Sequence, residues 1–407
     1  MARARTSNDA LLNGIVSVTV PTAASGLPPL ALTARPARGW LSTRGGLGAA
    51  RGTVVALAVA VAVVSWPEAL EASAGSVQAD DVRPVVRLVA TGGTISNRDG
   101  GRLTADDLLA AVPQLAAHVR AEAEQFSNVA STSLTLGQWL DLARRLNELF
   151  ATRPDLAGLV VSMGTDTLEE LAYFLHLTVR DARPVVVVGA MRNPSTAGYE
   201  GEANLLAGFR VAADPASRGK GVLVVLNDEI NSARDVAKTD AHRLHTFQTR
   251  AWGQLGVVDR DRVVYHREPL RRHTARSEFD VTGLRELPRV DVLLVYQDAP
   301  GDLIVAAADA GARGVVLATA GAGSMSAAQE GAVRVVLDRG LVVVRATRTG
   351  SGRIAPRAGG PSLSEAGSWE RTVAADDLSP VKARVLLMLA LARSHRPDEV
   401  QRMFAEY

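Results

Sequence analysis

An α/β fold is what the sequence predicts: a larger N-terminal, mostly parallel sheet flanked by helices, and a smaller C-terminal α/β domain. Three observations carry this expectation. From Val85 onward, short apolar runs alternate with longer segments of helical periodicity, the pattern of βαβ units. The alternation breaks once, between residues 255 and 289, where a hairpin and a charged stretch intervene. It then resumes to the end of the chain.

Taken in order, Val85–Ala90 reads as a buried strand. Thr104-Ala105-Asp106-Asp107 opens a helix through Ala111 in the manner of a capping box. Thr135 starts a second helix, Leu136–Phe150, with Trp139, Leu142, Leu146 and Leu149 on one face. Leu159–Ser162 is a strand. Thr167-Leu168-Glu169-Glu170 reads as another capping box, leading a helix towards Thr178. Strand Pro184–Gly189, helix Glu200–Ala213 and strand Val222–Leu226 follow. Leu255–Val258 and Arg262–Tyr265 read as a hairpin. Arg267–Pro288, with five Arg, reads as an interdomain linker. Beyond it come strand Val292–Tyr296, helix Asp302–Ala310, strand Val315–Ala318, helix Ser326–Asp338 and strand Leu341–Ala346. The last two helices are Pro380–Ser394, with Ser379 as cap and Pro380 in the first turn, and Asp398–Tyr407. The expected domains are therefore 83–266, a linker over 267–289, and 290–407.

Residues 1–80 differ, being rich in Ala, Gly, Pro, Ser and Arg. Within them Thr53–Trp66 is almost wholly apolar and shorter than the roughly 20 residues of a membrane-spanning helix. Arg44 and Arg51 precede it, and Ala72-Ser73-Ala74 follows. Residues 53–74 thus describe a secretory signal peptide and place the protein in the periplasm or outside the cell. Such a segment belongs at a chain's start, which implies translation from about residues 51–54. The alternative is an Ala-rich tail on a cytoplasmic protein.

The 407-residue chain is 47% hydrophobic and 22% charged, with a formal charge of +2 and no Cys. That length accommodates two domains. The small net charge and the lack of a basic stripe after residue 80 give no nucleic-acid footprint. The absence of Cys excludes thiolate catalysis, disulfides and thiolate metal sites.

Two stretches carry chemistry. Thr91-Gly92-Gly93-Thr94-Ile95-Ser96 follows the first strand, and Met163-Gly164-Thr165-Asp166-Thr167 follows Leu159–Ser162. In a parallel sheet such turns gather at the carboxyl ends of the strands. Amide hydrolysis needs a nucleophile, an acceptor for its proton and donors for the oxyanion. Thr94 and Thr165 supply hydroxyls, and Asp166 a carboxylate. Asn227–Ile230 and Arg234–Thr239 follow strand Val222–Leu226 on the same rim, and Lys238 there is a candidate general base. Thr and Asp in such turns are most often mere helix caps, and an isolated Lys in a polar loop is most often solvated. Two motifs on successive units, joined by a third segment, tip the balance towards a site.

At these residues the chain resembles the bacterial-type L-asparaginase family, in particular its exported type. The resemblance covers residues 83–407. It rests on ATGGTIS around Thr94, SMGTDTLEE around Asp166, NDEINSARDVAKTD around Lys238, and SPVKARVLLMLAL over residues 379–391. It implies hydrolysis of L-asparagine to L-aspartate and ammonia, with Thr94 forming a β-aspartyl ester. Thr165, Asp166 and Lys238 would form a second cluster beside the amide. Ser131, with Thr132 beside it, would bind the substrate α-carboxylate, and Asp166 the α-ammonium group. It further implies a homotetramer with sites between subunits and no metal or cofactor. Many members carry a Tyr in the loop after the first Thr motif that helps activate the nucleophile. Here loop Asn97–Leu103 has none, so either another group does that work or Lys238 does more of it through water. Ala322 stands where some members have Asn, and Glu365 is the candidate for a C-terminal-domain carboxylate at the ammonium.

Competing readings are a mixed glutaminase-asparaginase, an asparaginase-like subunit of a tRNA-dependent amidotransferase, and a non-catalytic amino-acid-binding protein. One methylene is worth only about 1–3 kcal/mol of discrimination, so the sequence does not separate the first rival. Gly321-Ala322-Gly323-Ser324 is a weak nucleotide fingerprint without its third Gly. Asp240, His242 and His245 read as surface residues rather than metal ligands. No Gly-x-Ser-x-Gly elbow is present.

Overall fold

The computed structural model describes residues 83–356 and 369–407. The signal-peptide-like segment and Glu365 lie outside the described residues. The larger sheet has eight strands: β1 (Val85–Gly92), β2 (Arg120–Val129), β3 (Leu156–Ser162), β4 (Val185–Val188), β5 (Val222–Leu226), β6 (Glu229–Ser232), β7 (Gly256–Val258) and β8 (Val263–Tyr265). Their order is β8-β7-β6-β5-β4-β3-β1-β2. Strands β1 to β5 are parallel to their neighbours. Strands β6, β7 and β8 add on antiparallel.

Four helices cover this sheet: α1 (Ala105–Ala110), α2 (Leu136–Thr152), α3 (Leu168–Thr178) and α4 (Gly201–Ala213). Alternation along β1 sorts them. Val86 and Leu88 share a core with Leu108 of α1 and Leu205 and Phe209 of α4. Val85 and Val89 share the opposite core with Leu146 of α2 and Leu171 and Phe174 of α3, as a period of two requires. The chain therefore leaves β1 and β4 towards one face and β3 towards the other. Where neighbouring loops part in this way, a crevice opens at the carboxyl ends of the strands.

The smaller sheet is parallel throughout, in the order β9 (Val290–Leu294), β10 (Gly314–Thr319), β11 (Val342–Thr347), β12 (Val373–Ala374). Helices α5 (Asp302–Asp309) and α6 (Ala327–Asp338) bury Ile304, Ala332, Val333 and Val336 on one face. Helix α7 (Pro380–Leu391) covers the other face and also packs on α3. It is apolar nearly all round and buried nearly all round, as expected for a helix between two layers. Helix α8 (Pro397–Glu406) closes the chain against α7 and β12. The charged stretch before β9 is tightly packed: His273, Phe279 and Val281 are buried, and Glu278 pairs with Arg272, Arg393 and Arg402.

Several sequence expectations need correction. Strands β2, β6 and β12 were not expected. Strand β2 is an edge strand that sets Ala121 and Ala123 against one core and Phe126 against the other, while Glu122 and Glu124 pair with Arg87, Arg145 and Arg153. Strand β9 begins two residues earlier than expected. Thr167 is the N-cap of α3 but its side chain makes no capping bond. Glu170 does not fold back to form a box, because it is drawn into the interior near Arg384. Burial pushes its carboxyl above the usual range, against the pull of that Arg.

Candidate active site

The site begins with a backbone contact. Gly92 and Gly93 both have positive φ, 106° and 88°, a region that a β-branched residue resists. They turn β1 into the short 3-10 helix Thr94–Ser96. A Cβ on Gly93 would lie 2.1 Å from the Gly164 amide nitrogen and 2.2 Å from its Cα. The turn after β1 and the turn after β3 thus touch through two glycines, with no room for a side chain at Gly93. A Cβ on Gly164 would in turn meet Ser131 Oγ at 3.0 Å, which brings in the turn after β2. Gly189, after β4, closes from the other side: a Cβ there would meet the Met163 carbonyl oxygen at 2.8 Å and Thr165 Cγ2 at 3.1 Å.

Hydroxyls fix these strand ends relative to one another. Thr91 Oγ1 donates to the Ser162 carbonyl at 2.9 Å, and Ser127 Oγ donates to the Thr91 carbonyl at 2.9 Å. Asn204 of α4 donates to the Gly189 carbonyl at 3.0 Å and accepts from the Asn227 N–H at 2.9 Å. Ser131 and Thr165 are buried, Thr94 is half-buried, and Thr132 beside Ser131 is exposed.

Lys238 joins the cluster from a two-stranded ribbon, residues 237–238 paired with 247–248. Its Nζ donates to Thr165 Oγ1 at 3.0 Å and to Asp166 Oδ1 at 2.7 Å. The Asp166 side chain is 70% exposed and that of Lys238 15%. An ion pair so open to water contributes about 0–1 kcal/mol to stability, so folding alone does not account for it. The Ser96 N–H donates to the Gly93 carbonyl at 3.1 Å and closes the short turn that carries Thr94.

Two residues of the site frame carried no role in the sequence reading. Glu169 accepts from the Lys238 backbone N–H at 3.2 Å, binding the ribbon to α3. Lys382 of α7 is fully buried, and its Nζ donates to the carbonyls of Arg234, at 2.9 Å, and Val236. Burial pulls Lys382 down to about 8, against the opposing charges of Glu169 and Asp235. Beside it Arg234 is buried and forks onto Asp377 at 2.7 and 3.2 Å. Burial works to raise the Asp377 carboxyl; the Arg234 fork outweighs it and holds the carboxyl below the usual range. Lys382 is one of two cations, with Arg384, in an otherwise apolar helix, and a cation there buries only with partners.

Of the expected site residues, Thr94, Ser131, Thr165, Asp166 and Lys238 come from the ends of neighbouring strands and one ribbon, and the structure gathers them. Thr132 lies at the edge. Turns rich in hydroxyls, a lysine and a carboxylate at the rim of a parallel sheet define a hydrolytic α/β enzyme. The comparisons give the class its family. Residues 85–271 match the family model "Asparaginase, N-terminal", and residues 289–404 match "Glutaminase/Asparaginase C-terminal domain". The chain belongs to the asparaginase family. It is similar to L-asparaginase 2 of Bacillus subtilis, 40% identical over 334 residues, covering 80% of this chain and 87% of that one. It is similar to a glutaminase-asparaginase of Pseudomonas fluorescens, 36% identical over 332 residues, covering 79% and 90%. Among solved structures it resembles a probable cytoplasmic L-asparaginase from Campylobacter jejuni, with TM-score 0.74 and 36% identity, covering 80% of this chain and 100% of that one.

Proposed function

We propose that this enzyme hydrolyses L-asparagine to L-aspartate and ammonia with Thr94 as nucleophile. The observation that carries the reading is the contact of Gly93 on Gly164, which sets the Thr94 and Thr165 turns against each other. Thr94 Oγ attacks the side-chain amide carbon. Its proton moves by way of the Thr165–Lys238 cluster to the amide nitrogen, which leaves as ammonia. The β-aspartyl ester on Thr94 is then hydrolysed by water, regenerating the hydroxyl. Ser131, with Thr132 at its side, holds the α-carboxylate. Asp166 holds the α-ammonium and orients Lys238, and Glu365 adds a second carboxylate at that ammonium. No cofactor enters this scheme.

A mixed glutaminase-asparaginase is the second reading, favoured by the similarity to the Pseudomonas fluorescens glutaminase-asparaginase. Ammonia release from purified protein with L-asparagine, L-glutamine and no substrate separates the two. Equal kcat/KM for both amides replaces the first reading with the second, and no release from either removes both. The working form is a homotetramer with sites between subunits, and the segment at residues 53–74 directs the protein to the periplasm or out of the cell.

A further inference from the structure

The loop after β4 leaves the sheet on the same face as the turn after β1, and two hydrogen bonds join them. Tyr199 Oη donates to the Ile95 carbonyl at 2.9 Å, one residue past Thr94. Ser195 Oγ accepts from the Asp99 N–H at 2.8 Å, in the hairpin of residues 97–102 that follows the Thr94 turn. From these contacts we infer that Tyr199 is a positioning residue for the nucleophile, with the loop of residues 189–200 as a strut that holds the Thr94 turn. The inference rests on the reading of Thr94 given above.

The strut is itself braced. The Glu200 carboxylate accepts from the backbone N–H groups of Met191 and, at 3.3 Å, Arg192. Arg192 Nη1 donates to the Gly198 carbonyl at 3.0 Å. Asn193 Oδ1 accepts from Ser195 N–H at 3.1 Å and from Thr196 Oγ1 at 2.7 Å. A loop closed on itself in this way presents its Tyr from a fixed point. The ring packs against the core shared by α1 and α4, in which Ile95 is buried. Burial also pushes the Tyr199 phenol well above its ordinary value, so it stays a donor across the working pH range. Gly201 makes room for the ring: a Cβ there would meet Tyr199 Oη at 2.1 Å and Cζ at 2.2 Å. An alanine would push the hydroxyl off the Ile95 carbonyl without removing it.

Removing the hydroxyl and displacing it predict the same outcome. Loss of the tether lets the Thr94 turn move, and misplacement of a reacting group costs rate rather than binding. Tyr199→Phe keeps the ring and loses only the hydroxyl. It should lower kcat on L-asparagine about tenfold, with KM within about twofold and a thermal midpoint within a few degrees of the parent. Gly201→Ala should act in the same direction. Hydrogen–deuterium exchange of the peptide spanning residues 93–103 should be faster in both variants. An unchanged kcat in both, or unchanged exchange over that peptide, overturns the inference. So does a kcat loss accompanied by a matching fall in thermal midpoint, which marks a purely structural residue. A parent that releases no ammonia overturns the reading of Thr94 and the catalytic role of the strut with it; the exchange experiment still decides whether the tether exists.

Discussion

Gly93 and Gly164 touch backbone to backbone, close enough that a single methyl on Gly93 would overlap the Gly164 amide nitrogen. Gly93→Ala therefore has to push the two turns apart. With φ at 88°, the alanine is strained as well. The expected outcome is loss of ammonia release by about a hundredfold or more, the scale for misplacing reacting groups by about 1 Å. Circular dichroism and steady-state kinetics on the purified variant check this. A folded Gly93→Ala enzyme of parental activity contradicts the role given to the contact.

Lys238 bridges Thr165 and Asp166. Lys238→Met should lower kcat far more than it raises KM, since proton transfer is needed only on the way to the transition state. Because the pair is open to solvent, thermal stability should change little. Kinetics in parallel with a melting curve test both halves. A variant with raised KM and unchanged kcat assigns Lys238 to binding instead.

Lys382 holds two carbonyls just ahead of Lys238 in the chain. Lys382→Met would leave both acceptors buried without a donor, at a cost of about 1–3 kcal/mol each. It should lower the urea midpoint and, in the protein that remains folded, lower kcat through displacement of the Lys238 ribbon. Denaturation and kinetics on the same preparation test this. A midpoint equal to the parent's contradicts the account of Lys382.

His176 and His273 lie with ring centroids 4.9 Å apart, both buried. Burial, with the neighbouring imidazole, holds His176 well below the usual histidine value. Burial, with Arg276, brings His273 down to about 4. A base depressed in the folded state binds protons better when unfolded, so its stabilising contribution is complete above about pH 6.5 and is lost as pH falls towards about 4. Glu122 and Glu124 are held low chiefly by their hydrogen bonds to Arg153 and Arg145, against burial. Their contribution is lost only in stronger acid. The thermal midpoint should therefore already decline between about pH 6.5 and 5, and His273→Gln should flatten that decline. An equal slope in parent and variant contradicts it.

The sequence made the active turns legible because each follows a buried parallel strand, and such strands read as mostly apolar runs, broken in β1 by Arg87. Lys238 was legible only through its motif, since nothing local separates it from a solvated lysine. Strand β2 stayed hidden because an edge strand packed with alanines carries little hydrophobic contrast, and its glutamates are matched by arginines far away in sequence. The Thr167 box failed for the converse reason: the local pattern was right, but packing against α7 claimed Glu170. Glu169, Tyr199 and Lys382 act on backbone groups distant in sequence, and no spacing rule links such partners.

The central claim is that Thr94, rather than Thr165, carries the covalent intermediate. Acid quenching of the enzyme during turnover of L-asparagine, followed by digestion and mass spectrometry, tests it most directly. The account predicts an adduct of the substrate's mass less ammonia on the peptide containing Thr94, and none in Thr94→Ala. An adduct on the Thr165 peptide, or ammonia release by Thr94→Ala at the parental rate, would contradict it.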